Sequence, residues 1–82
     1  QPRLDLVGDP VKVAIHNLPD EFREPLLMCD LDGLGYQEIA KILSVPLGTI
    51  RSRISRARGR LRAELVDYAR ESGFPVDALP AA

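Results

Sequence analysis

The sequence predicts an all-α fold: a small four-helix domain that contains a helix-turn-helix and closes on one long C-terminal helix. Three observations predict it. Apolar residues recur at three- and four-residue spacing through four separate stretches of the 82-residue chain. Helix start and stop residues bound those stretches, namely Asp9-Pro10, Leu18-Pro19, Gly33, Gly35, Pro46 and Gly73. No stretch shows the strict alternation of a half-buried strand, and nothing repeats. A chain this short hides only about 60–65% of its unfolded surface, so it supports one core.

Residues 1–9 (QPRLDLVGD) mix proline, glycine and both charges without a period, and read as an interdomain linker. Asp9 is placed to cap a first helix with Pro10 at its first position, and Val11, Ala14, Ile15 and Leu18 follow at helical spacing. Asn17 and Leu18-Pro19 end it, because the residue before proline is pushed out of the helical region. A second helix is predicted from about Pro19 or Asp20 to Leu31, with Asp20 and Glu21 at the positive end of its dipole. Phe22, Leu26 and Cys29 form one apolar line, and Leu27, Leu31 and Leu34 a second roughly opposite, so this helix needs burial on two sides. Pro25 removes one backbone donor and is expected to bend the helix slightly; Gly33 stops it.

Tyr36, Ile39, Ala40 and Leu43 mark a third helix (YQEIAKIL), with Gly35 as a weaker N-cap than Ser or Thr. A tight turn follows at Ser44, Val45 and Pro46. The fourth helix runs from Leu47 to Glu71 on an apolar stripe of Ile50, Ile54, Ala57, Leu61, Leu65 and Tyr68. Gly73 and Pro75 supply its stop, so the domain covers residues 10–71 and residues 72–82 form a tail with little intrinsic structure.

Net charge is -1, from 11 Lys plus Arg against 12 Asp plus Glu, and on totals alone this argues against a polyanionic partner. The distribution reverses that reading. Arg51 to Arg62 (RSRISRARGRLR) holds six arginines and no acid, which leaves 5 basic and 12 acidic groups elsewhere. A concentrated positive stretch on an acidic body points to a polyanion-binding face.

Other classes fall away. There is no apolar run long enough for a membrane span in these 82 residues, and no charged-then-apolar secretory leader is expected. One cysteine, Cys29, excludes an internal disulfide; with a single histidine, His16, it cannot make a four-ligand zinc site. That cysteine usage suits a reducing compartment, and a cytoplasmic location is expected. His16 and Cys29 are also the only nucleophile and base candidates, with no third group to orient them, so neither enzyme activity nor a cofactor is expected. Asp30 and Asp32 beside Gly33 lack the later oxygen ligands of a calcium loop. The chain begins at Gln1 rather than Met, and is expected to be a piece of a longer protein.

Two short helices joined by a tight turn, with small Ala40 where they cross and Val45 and Ile50 to fill the space between, describe a helix-turn-helix. A generic helical hairpin fits those residues almost as well. The arginines add the distinguishing feature. At 100° per residue, Ile50, Ile54, Ala57, Leu61 and Leu65 share one direction, and Ser52, Ser55, Arg56 and Gly59 lie on the far side. Arg51 and Arg58 flank the far side on one edge, Arg53 and Arg60 on the other. A low-relief centre with guanidinium groups on both rims suits base edges and the phosphates bordering a major groove. The first turn, Leu47 to Thr49, adds free N–H groups and a hydroxyl for a phosphate oxygen. Duplex DNA is favoured over RNA because few aromatics are available to stack splayed bases.

The segment from Val11 to Leu65 resembles region 4 of bacterial extracytoplasmic-function (ECF) sigma factors. Its most specific parts are Leu18-Pro19, Gly33-Leu34 with Tyr36-Gln37-Glu38-Ile39-Ala40, Pro46, Gly48-Thr49-Ile50-Arg51-Ser52-Arg53, and Arg56-Ala57-Arg58. The resemblance implies a domain that binds duplex promoter DNA at the minus-35 element for RNA polymerase. It implies that Arg51, Ser52, Ser55 and Arg56 face bases, and that Lys41, Pro46, Gly48, Thr49 and Arg53 hold the backbone. Arg58, on the rim, joins the phosphate contacts. It also implies that the amino-terminal helices touch the flap of the polymerase β subunit and that an anti-sigma factor covers the same surface, with Leu27, Leu31 and Leu34 as the partner-facing residues. The sequence departs from the family at Gly35, where Ser or Thr is common, and at Ser55, where larger side chains occur. Two other readings stand beside it: a LuxR-type response-regulator output domain, whose lysine-rich second half is missing here, and an interaction module that binds an acidic protein.

Overall fold

A computed structural model describes residues 9–72 of the chain. Residues 1–8 of the linker read over 1–9, and the stop at Gly73 and Pro75 with residues 73–82 of the tail read over 72–82, lie outside the described residues; Asp9 caps α1 and Ser72 is the last residue of α4. Four helices follow in order: α1 (Pro10–His16), α2 (Asp20–Asp30), α3 (Tyr36–Leu43) and α4 (Leu47–Ser72). Among the described residues there is no strand, and no helix is long and apolar enough to cross a membrane.

Local chemistry sets the helix ends. Asp9 Oδ1 accepts from the amides of Val11 and Lys12 at 3.0 and 3.1 Å, a cap that contributes about 1 kcal/mol. At the other end of α1, the Arg23 guanidinium donates to the carbonyls of His16 and Leu18 at 2.9 and 3.0 Å and pairs with Asp20. Carbonyls that the end of a helix leaves without partners are thereby satisfied from α2. The predicted N-terminal acids Asp20 and Glu21 stand in the first turn of α2, and Pro25 is buried inside the helix.

The chain then leaves α2 through Leu31, whose amide bonds the Leu27 carbonyl at 2.9 Å, and reverses at Gly33 with φ of +72°. Glycine is suited to that position because it has no Cβ to clash. The turn corrects one expectation. Leu34 lies beyond the end of α2, so helical spacing does not carry it onto the line of Leu27 and Leu31; it packs half-buried against the core instead.

The predicted bounds of α3 match the structure, and Glu38 Oε1 accepts from the Gly35 amide at 3.2 Å. Glycine has no side chain to return the bond, so only half of a capping box is made. The turn to α4 holds a feature that the sequence reading did not resolve: Ser44 adopts left-handed φ of 57°. Its neighbour Val45 donates its amide to the Ala40 carbonyl at 3.0 Å, which closes the corner.

The core gathers Leu18, Phe22, Leu26, Ile39, Ala40, Ile50, Ile54 and Ala57, with Val45 and Leu61 at its margin. Helix α4 packs against all three other helices, and α2 against α3. Burying each Leu or Ile here contributes about 1.5–3 kcal/mol. The stripe of α4 departs from expectation past Leu61. Tyr68 is exposed and Ala69 is fully buried. The core cluster ends at Leu61, and beyond it the short α1 packs on α4, with the Asn17 amide donating to Glu64 Oε2 at 3.0 Å. Burial past the cluster therefore shifts to the neighbouring face of α4.

Candidate nucleic-acid interface

Packing fixes the rotation of α4 about its axis. Ile50, Ile54 and Ala57 are 0%, 1% and 0% exposed, which directs the opposite face of the helix outward. Arg51, Ser52, Ser55 and Arg56 all lie on that exposed face. Gly59 stands on the same side, with nothing within 4 Å of where a Cβ would project. Domain packing therefore does not require the glycine.

The first turn of α4 meets α2 rather than standing alone. Gly48, Thr49, Ser52, Arg53 and Arg56 line a shallow concavity with Glu21 and Phe22 of α2. Sequence reasoning missed those two α2 residues, because a single-helix projection shows nothing of what crosses it. Pro46 and Gly48 are exposed, Thr49 and Arg53 are half-buried, and Lys41 is exposed on α3.

The six-arginine run divides in two. Arg58 forms an ion pair with Asp30 of α2 at 3.0 Å. Partial desolvation opposes its charge, but the hydrogen bond and the attraction of Asp30 outweigh this and raise the guanidinium above the ordinary arginine value. The Arg60 guanidinium lies 4.8 Å from the centroid of the Phe22 ring, and Arg62 also has a partner. By contrast, Arg51, Arg53 and Arg56 enter no hydrogen bond or ion pair among the described residues. Within the run, the charge that remains unpaired among the described residues is concentrated on the second and third turns of α4, beside the low-relief serines. That arrangement can present guanidinium donors to an anionic, grooved surface without first breaking internal bonds.

A second surface lies across α2. Val11, Lys12, Ile15 and His16 of α1 line an apolar groove with Arg23, Leu27 and Leu31 of α2, and Leu31 is 76% exposed. Of the three leucines expected to face a partner, Leu27 and Leu31 are brought together here and Leu34 is not. Cys29 is half-buried against the core, and His16 ends α1. No group of three or more His, Cys, Asp or Glu residues is arranged to hold a metal ion among the described residues.

Comparison with known proteins bears on this geometry. The chain is 44% identical over 66 residues to the ECF RNA polymerase sigma factor SigE of Mycolicibacterium smegmatis, a match covering 80% of this chain and 26% of that protein. It is 50% identical over 45 residues to the ECF RNA polymerase sigma-E factor of Haemophilus influenzae and 52% identical over 45 residues to that of Escherichia coli K12, each covering 55% of this chain and 24% of the relative. The chain thus spans about a quarter of the length of these relatives. The profile of the family described as Sigma-70, region 4, matches residues 9–61, which run from the cap of α1 through the arginine-bearing face of α4. With more than half of the chain inside that match, the protein belongs to the sigma-70 region 4 family.

Proposed function

We propose that this chain is the DNA-binding domain of an ECF-type sigma factor, and that it reads the minus-35 element of promoters as duplex and so directs RNA polymerase to initiation sites. The observation that carries this reading is the rotation of α4, which buries Ile50, Ile54 and Ala57 and leaves Arg51, Ser52, Ser55 and Arg56 exposed. In the proposed complex these four residues face base edges in the major groove. Arg53, Thr49, Gly48, Pro46 and Lys41 meet the flanking phosphates. Arg58 reaches a phosphate only by leaving Asp30. The domain comprises residues 10–71, between a linker and a tail, and works in the cytoplasm within a longer protein.

The apolar groove supports the second part of the reading. A strongly exposed leucine beside Leu27, Val11 and Ile15, rimmed by Lys12 and Arg23, is suited to a protein partner. We assign it to the polymerase β-subunit flap, with an anti-sigma factor competing for the same leucines.

Selection of bound sequences from a random duplex library tests the function. A recovered common motif, bound more tightly than random duplex and in a salt-dependent manner, is expected. Salt-dependent binding with no recovered motif would reduce the domain to a general polyanion binder.

A further inference from the structure

The acidic residue that pairs with an arginine of α4, Asp30, is placed where it does nothing for its own helix. Asp30 is the last residue of α2, and a carboxylate at a helix C-terminus faces the negative end of the dipole. Its Oδ1 instead lies 3.0 Å from a terminal nitrogen of Arg58, across the α2–α4 contact. A carboxylate oxygen on a guanidinium makes the same kind of charge-assisted bond that a phosphate oxygen would make. Both side chains are roughly half exposed, so the pair can exchange with an incoming anion.

We propose that Asp30 is an affinity-setting residue of the DNA interface: it occupies Arg58 as an internal phosphate surrogate, so the domain engages duplex with one backbone contact fewer than its arginines could make. The inference rests on the DNA-binding reading above. Its consequence is selectivity. A phosphate contact tightens every sequence alike, so holding one in reserve lowers binding to random duplex and leaves base readout to Arg51, Ser52, Ser55 and Arg56. Arg51, Arg53 and Arg56 carry no such restraint among the described residues.

The test compares the salt dependence of binding to a short random duplex for the parent chain, Asp30→Asn, Asp30→Ala and the control Asp32→Asn. Asp32 is an exposed neighbour that enters no ion pair among the described residues, so its neutralisation changes net charge equally without releasing an arginine from a described partner. Both Asp30 variants are expected to bind more tightly at low salt, with a slope of log affinity against log salt steeper by about 0.9, the value for one phosphate. Asp32→Asn should leave the slope unchanged, and adding Arg58→Ala to Asp30→Asn should abolish the gain. Unchanged or weaker binding by both Asp30 variants, in folded protein by circular dichroism, overturns the proposal, as does an equal gain from Asp32→Asn. A parent chain that shows no salt-dependent binding at all sinks the DNA-binding reading itself.

Discussion

The Arg60 guanidinium stands over the Phe22 ring at 4.8 Å, and two residues earlier Arg58 grips Asp30 at the other end of the same helix. Two arginines on opposite edges of α4 thus hold α2 near both of its ends. Half of a run that reads as one basic surface is spent on internal structure, and Arg60 has a role in stability. Arg60→Ala is expected to lower the unfolding free energy by about 0.5–1 kcal/mol, the value of an exposed cation–π contact. Urea denaturation checks it. Arg60→Lys should retain part of the effect, because an ammonium also binds the ring face.

Arg56 is exposed, unpaired and on the outward face of α4. Arg56→Ala should cost about 1–3 kcal/mol on the preferred duplex and much less on random duplex. Fluorescence anisotropy on the two sequences measures both, and equal losses would remove Arg56 from base readout.

Arg53 lies half-buried at the rim of the concavity that α4 shares with Glu21 and Phe22. In the proposed complex Arg53 meets the DNA backbone, so Arg53→Ala should weaken all sequences alike and reduce the salt slope by about 0.9. Binding isotherms at several salt concentrations give the slope, and an unaltered one would mean that no phosphate is neutralised there.

Gly59 sits inside α4 with open space where a Cβ would be. Gly59→Ala is therefore expected to stabilise the free domain by about 0.5–1 kcal/mol through helix propensity alone. If the glycine serves close approach to DNA, the same variant binds its preferred duplex less tightly. Thermal unfolding together with anisotropy separates the two effects, and a variant that is both more stable and equally tight would leave Gly59 without a part in recognition.

Much of this molecule was legible in its sequence because its signals are local. The Asp9-Pro10 start, the YQEIAKIL helix and the Ile50–Ile54–Ala57 stripe each rest on contacts within a few residues, and all appear as read. What escaped depends on separated parts of the chain. The partners of Arg58 and Arg60 come from α2, which a projection of α4 cannot display. Leu34 falls on the second apolar line with Leu27 and Leu31 only if the helical period continues, and that period has ended at Asp30. The stripe extends to Tyr68 only if the core continues past the point where the cluster stops; there Tyr68 is exposed and Ala69 is the buried residue. The candidate site shows the same division: the outward face of Arg51, Ser52, Ser55 and Arg56 is legible from periodicity, whereas Glu21 and Phe22 join the surface only through packing.

Ser44 turns the chain between α3 and α4 with φ of 57°, a conformation most often left to glycine. A residue with a Cβ has fewer alternative backbone states than glycine, so this hinge has little freedom to swing. The Ser44 conformation and the bond from the Val45 amide to the Ala40 carbonyl together define the angle at which α4 leaves α3. A joint locked in this way would spare the proposed DNA complex the cost of ordering the turn on binding.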